Sequence, residues 1–241
     1  MIGTTALALG LTSCNEFVSV LNQVSPLLTQ KSTSSATSNL TNLEVIAGLK
    51  QALSIGANNS TNLLSVKNGF YKNLDVKIPF PPEVSKVENK LRSIGLDKPI
   101  DSFVLTLNRA AESATQQAAP IFLAAIKDMS IKDGFAILAG GDEAATNYLK
   151  SKTSKQLTKQ FSPIVARAIN QAEVTKYWAP VMNTYNQFSF SSKTINPDLE
   201  AYVTNKAIDG VFLMLAGEEK KIRENPLART SDLLEKVFGS L

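Results

Sequence analysis

Residues 103–126 read FVLTLNRAAESATQQAAPIFLAAI, and their spacing decides the fold class. Phe103, Leu107, Ala111, Ala114, Ala118, Phe122 and Ala125 recur at helical intervals and make one apolar face. Leu105 and Leu123 put apolar groups on the opposite side as well. A helix that is apolar on both sides belongs inside the protein. Its alanines let neighbouring helices approach closely. Within the stretch the charges are Arg109 and Glu112, three residues apart and within reach of each other on one helix. Buried charges need partners, so Asn108, Arg109 and Glu112 mark a polar locus inside an apolar rod.

Helical signals continue in both directions. Upstream, Thr41-Asn42-Leu43-Glu44 is a capping box, followed by Leu43, Ile46, Leu49 and Leu53 on one face. Gly56 and Asn58-Asn59 are expected to interrupt that helix, with Ser60 to Leu64 adding a turn or two. Asn68-Gly69 marks a turn. Val76 to Pro82 (VKIPFPP) is extended, because proline fixes φ and disfavours helix before it. It reads as a strap over the helices, with room for one short β-hairpin around Asn68 to Ile78. Pro82 can start a helix from Glu83 to Ile94, ended by Gly95. Asp101 is placed as the cap of the long central helix, which runs to about Met129 with a kink at Pro120.

Downstream, Ser130-Ile131-Lys132-Asp133 is a second capping signature, for a helix to Ala139. Gly140-Gly141 breaks it and Asp142 starts another. Two more are expected near Ser154 to Ala172 and Val174 to Phe188. Asn196-Pro197 opens the last long helix, to about Glu224, and Pro226 stops it. Ser231 or Asp232 caps a final short helix that ends at Gly239. No run alternates with a period of two. The expectation is an all-α protein: a single compact multi-helix domain over residues 43–241, with a proline-rich strap.

Composition sets limits on function. The 241 residues carry 25 Lys and Arg against 21 Asp and Glu, a net charge of +4. The basic runs at Lys150 to Lys159 and Lys220 to Arg223 are short, without the aromatic-laced basic stripe of a nucleic-acid binder, so no nucleic-acid partner is expected. The chain contains no histidine. That removes Ser-His-Asp and Cys-His nucleophiles, Glu-x-x-His di-iron sites and the commonest zinc ligand. One cysteine permits neither an internal disulfide nor a thiolate metal cluster. No metal and no cofactor are expected.

That cysteine has a telling position. Residues 6–11 are short, apolar and uncharged, and Leu11-Thr12-Ser13-Cys14 follows. The stretch resembles the bacterial lipoprotein signal, in which cleavage before the cysteine leaves a thiol that carries a diacylglycerol. Residues 1–13 then read as a shortened signal peptide, lacking the basic beginning such leaders have. Cys14 becomes the lipidation site, and multiple acyl chains make a stable anchor. Asn15 in place of aspartate favours, by that resemblance, the periplasmic side of the outer membrane. Residues 14–42 include TQKSTSSATSNLTN, a Ser/Thr-rich tether unable to bury enough apolar surface to fold. The 27 residues from Cys14 to Thr41 would span about 30 Å. No stretch of about 18 apolar residues offers a membrane span.

Several short matches in order carry a second resemblance: Asn108-Arg109-Ala110-Ala111-Glu112, Gly141-Asp142-Glu143-Ala144-Ala145-Thr146, Lys206-Ala207-Ile208-Asp209-Gly210 with Glu218-Glu219 and Ile222-Arg223, and Arg229-Thr230-Ser231-Asp232-Leu233-Leu234 with Val237-Phe238-Gly239. They are similar to a bacterial envelope family, domain of unknown function 4197, from about Leu43 to the C-terminus. The resemblance implies an export or lipoprotein leader and carries no activity.

The last long helix has Val203, Ala207, Gly210, Val211 and Met214 as its apolar stripe, and Glu218 continues it. A carboxylate there should meet a cation. Asn108, Arg109, Glu112, Glu218, Arg223 and Arg229 are therefore expected to form one buried network, structural or ligand-binding. Asp232 has a cap as its simpler role. Gly140-Gly141 before a helix suggests phosphate, but Asp142 and Glu143 would repel an anion. Tyr177, Trp178, Tyr185, Phe188 and Phe190 form core or lid, or a groove for a partner helix or lipid tail.

Three functions fit these features: a lipid-anchored envelope module that binds or scaffolds an envelope protein or hydrophobic ligand; a cell-wall glycosidase-like enzyme using Glu112 with Glu218 or Glu219; and a purely structural envelope protein. Glu112-Ser113 resembles the Glu-Ser of lytic transglycosylases, without the glycine-rich stretch that follows there. The first reading is preferred, since no catalytic motif is present.

Overall fold

The structure is a computed structural model that describes residues 41–82, 85–93, 95–172 and 198–224. Seven helices occur among the described residues: α1 (Asn42–Ser65), α2 (Ser85–Ser93), α3 (Asp97–Thr115), α4 (Ala118–Lys127), α5 (Ile131–Ala139), α6 (Ala144–Gln171) and α7 (Leu199–Glu224). The protein is all-α, and no strand occurs among the described residues. Cys14, Arg229, Asp232, the tether, the expected helices near 174–188 and 231–239, and the aromatic group from Tyr177 to Phe190 lie outside the described residues.

Helix α3 is central, as its two-sided apolar pattern requires. It packs on α1, α6 and α7, and α6 and α7 share the most extensive contact among the described helices. Leu107, Ala110, Ala111 and Ala114 are fully buried on α3, so the alanines bring neighbouring helices close. Phe122 on α4 meets Phe212 on α7 edge to face, with centroids 5.6 Å apart.

Several helix boundaries differ from those the residues predict. Helix α1 runs unbroken through Gly56 and Asn58-Asn59. Ser60 and Thr61 donate their hydroxyls back to the carbonyls of Gly56 and Ala57, at 2.7 and 2.8 Å. Spent inside the helix, those hydroxyls do not cap a new one. Helix α3 begins at Asp97, not Asp101. Pro99 is tolerated because first-turn N–H groups have no intrahelical partner in any case. Asp101 instead accepts from Arg92 of α2, which also reaches Glu88 and Asp97. Those three carboxylates hold the half-buried Arg92 guanidinium even more firmly protonated than usual.

The long central helix is two helices. The break falls at Gln116–Gln117, and Pro120 sits in the first turn of α4, where its missing N–H costs little. Helix α6 is one helix of 28 residues where two were expected. Ser151, Thr153 and Ser154 return their hydroxyls to backbone carbonyls within it. Both capping boxes form as the residues predict, at Thr41/Glu44 and Ser130/Asp133.

Candidate functional site

The polar locus on α3 holds the strap. After α1, the chain turns at Asn68, whose φ of 74° is left-handed. Gly69 follows, where an added Cβ would lie 2.5 Å from the carbonyl oxygens of Leu63 and Leu64, so only glycine fits against the helix end. Residues 70–80 then cross the helices, with Phe70, Val76, Ile78 and Phe80 buried beneath. Such a segment lacks a backbone ladder and needs side chains to satisfy its polar groups.

Three residues of α3 supply them. Asn108 accepts from the Ile78 N–H at 2.9 Å and donates to the Ile78 carbonyl at 2.8 Å. Its remaining amide hydrogen goes to the Val104 carbonyl at 2.7 Å. The carboxamide thus takes the place of a partner strand, which is why the expected hairpin does not form among the described residues. One turn on, Glu112 Oε1 accepts the N–H groups of Phe70 and Tyr71, each at 3.2 Å. Its Oε2 takes the guanidinium of Arg109. Arg109 also donates to Asn68 Oδ1 at 2.8 Å and lies 5.9 Å from the Tyr71 ring centre.

A second clamp has the same parts. Glu219 on α7 accepts the Ala145 N–H at 3.0 Å, and both the Thr146 N–H and its hydroxyl at 2.8 Å. These are first-turn groups of α6, whose N-cap position, Glu143, gives no side-chain cap and has a φ of 65°. Glu219 therefore caps α6 from another helix, where the helix dipole also favours a carboxylate. Arg223, one turn along, donates to Glu219 at 2.8 Å and to the Ile137 carbonyl of α5 at 3.1 Å.

Among the described residues, the members of the single network expected from the sequence fall into two clusters. Asn108, Arg109 and Glu112 form one cluster; Arg223 belongs to the other, with Glu219 in place of Glu218. Glu218 lies beside the buried stripe and is half-buried, bonded to Asn59 at 2.9 Å and Lys221 at 2.6 Å. The stripe runs through Ala207, Gly210, Val211, Leu215, Glu219 and Ile222, not through Met214 and Glu218. Both rows have helical spacing, and adjacent Met214 and Leu215 make them alike in sequence. The available signal was the Glu219–Arg223 spacing of four. The cap expected at Asp142 and Glu143 is supplied by Glu219 instead.

Among the described residues, neither buried carboxylate lines an open cleft: the depression of about 440 Å³ nearest the first clamp reaches Asn68 and Gly69 but not Glu112. The space beside Glu219 and Arg223 measures about 10 Å³, the size of one water. A polar groove of about 250 Å³ lies elsewhere, lined by Ile121, Asp128, Asp133, Tyr148, Lys152 and Gln156. There the Ser130 hydroxyl and N–H hold the Asp133 carboxyl below its usual range. Partial burial, with Asp133 and Asp128 nearby, pushes the Tyr148 hydroxyl up. Among the described residues no group of acidic or sulfur ligands could hold a metal ion, and no helix is long and apolar enough to cross a membrane.

A family model covers residues 39–239, nearly the whole body. The chain belongs to the family described as protein of unknown function, DUF4197. Both clamps fall inside the matched region. No curated protein and no solved structure matches the chain.

Proposed function

We propose that this DUF4197 protein is a lipid-anchored envelope protein whose helical body is a binding or scaffold module, tethered through Cys14 to the periplasmic side of the outer membrane. The apolar run ending at Leu11-Thr12-Ser13-Cys14 and the Ser/Thr-rich stretch after it support the anchor. The observation that carries the module reading is saturation of the buried acids. Glu112 and Glu219 each accept two backbone N–H groups and an arginine. Carboxylates so engaged hold backbone in place. A glycosidase acid must instead be free to give and take a proton beside a cleft.

The anchor is tested by metabolic labelling with radioactive palmitate during bacterial expression. The wild-type chain should take up label and fractionate with outer membranes, and Cys14→Ser should do neither. Absence of label in the wild type would overturn the anchor. The module reading is tested by incubating the purified chain with peptidoglycan: release of soluble sugar fragments, lost in Glu112→Gln, would restore the enzyme.

A further inference from the structure

We propose that the tight loop after α1, residues 66–75 with Leu63 beside it, is a second membrane contact that seats on the headgroup layer of an anionic bilayer. The proposal uses the envelope reading only to put a membrane within reach; its chemistry is independent of Cys14.

Leu74 is 88% exposed, and Leu63 and Val66 are about half exposed. They project around a shallow depression of about 440 Å³ that Lys67, Lys72 and Asn73 also line. Lys67 and Lys72 are exposed and have no acidic partner among the described residues. Lys77, just past the loop and 4.7 Å over the Tyr71 ring, adds a third positive charge, and Asp75 is the one acid in residues 66–77. Apolar side chains ringed by unpaired lysines are what an anionic interface recognises: the lysines meet phosphate while the leucine enters the acyl boundary. Leu74 is the most exposed large apolar side chain among the described residues.

The loop is also held as a rigid presenter. Asn73 accepts the Asp75 N–H at 3.2 Å through its side chain and the Lys77 N–H at 2.8 Å through its carbonyl. Gly69 seats the loop on the end of α1, and Glu112 fastens it from below through Phe70 and Tyr71. A loop fixed this firmly would not keep a leucine in water by accident of motion. Its fixed apex loses little conformational freedom on docking.

The test is co-sedimentation of the full chain carrying Cys14→Ser, so that no acyl chain contributes. Vesicles are phosphatidylcholine alone, or with about 30 mol% phosphatidylglycerol. The chain should sediment with the anionic vesicles, weakly with the neutral ones, and less in roughly 0.5 M salt. Lys67→Gln/Lys72→Gln should weaken partitioning about 25-fold, at about fivefold per lysine. Leu74→Ser should weaken it about tenfold. All these side chains are exposed, and circular dichroism checks that the variants stay folded. No sedimentation with anionic vesicles overturns the proposal, as does equal partitioning of the variants and the parent. So does a parent that ignores vesicles but is captured through Leu74 by a protein. None of these results touches palmitate labelling at Cys14, so the anchor and the loop fail separately.

Discussion

Glu112 and Glu219 are both buried carboxylates paired with an arginine on their own helix, yet one fastens an irregular strap and the other a helix end. The strap has no internal ladder, so α3 must satisfy both the Ile78 N–H and its carbonyl, as well as two more amides. A helix start needs only acceptors, because its free groups are N–H donors aligned with the dipole. One carboxylate suffices there. The arginines differ too. The Arg109 side chain keeps 32% of its surface in water, whereas Arg223 keeps 17% and spends a donor on Ile137. The same pair is therefore embedded to different depths, and its removal should cost accordingly.

Glu219→Ala should show the largest loss, about 3–5 kcal/mol, because it leaves two buried amides without their acceptor and takes the carboxylate from Arg223. Urea unfolding measures it, and a loss below that of Glu112→Ala would reverse the ranking of the clamps. Glu112→Ala should cost about 2–4 kcal/mol, since water can still solvate Arg109. Hydrogen exchange should quicken first at Phe70 and Tyr71, not at Ala145 and Thr146. Asn108→Ala should cost about 2–3 kcal/mol through the unpaired Ile78 groups and expose the strap to proteolysis. Arg109→Ala should cost about 1–2 kcal/mol, because buried Glu112 loses its cation but keeps two amide donors, while Arg223→Ala costs more.

The smallest effect concerns the exposed cap of α5, which shares neither clamp. The Ser130 hydroxyl and N–H lower the folded-state pKa of Asp133. The stability it supplies is present above the ordinary carboxylate pKa and fades as pH falls through the lowered folded value. Ser130→Ala should lower stability near neutrality, where the Asp133 contribution is fully present, and flatten the curve below about pH 4, where the wild type loses it.

These two regions also differ in how far the residues announced them. Arg109 and Glu112 stand out as the charges in an apolar rod, so that locus was legible from residues 103–126. The strap was legible from its prolines. Their union was not, because Asn108 and Ile78 are 30 residues apart, and a side chain replacing a strand leaves no pattern in sequence. Glu219 was missed in favour of Glu218. The adjacent apolar rows on α7 have the same spacing, and packing against α6 decides which row is buried.

By themselves the residues determined the all-α class, the buried central rod, both capping boxes and the turn at Asn68-Gly69. Each of these follows from local spacing or local backbone preference, which act within a few residues of one another. The tertiary structure alone decided where the polar loci end. It divided the described members of one expected network into two clusters, merged and split helices at Gly56, Gln116 and Ser154, and assigned the cap of α6 to a residue 73 positions away from Thr146. Those choices turn on which donor lies opposite which acceptor after the helices pack, and chain-distant partners satisfy buried polar groups as well as neighbours do.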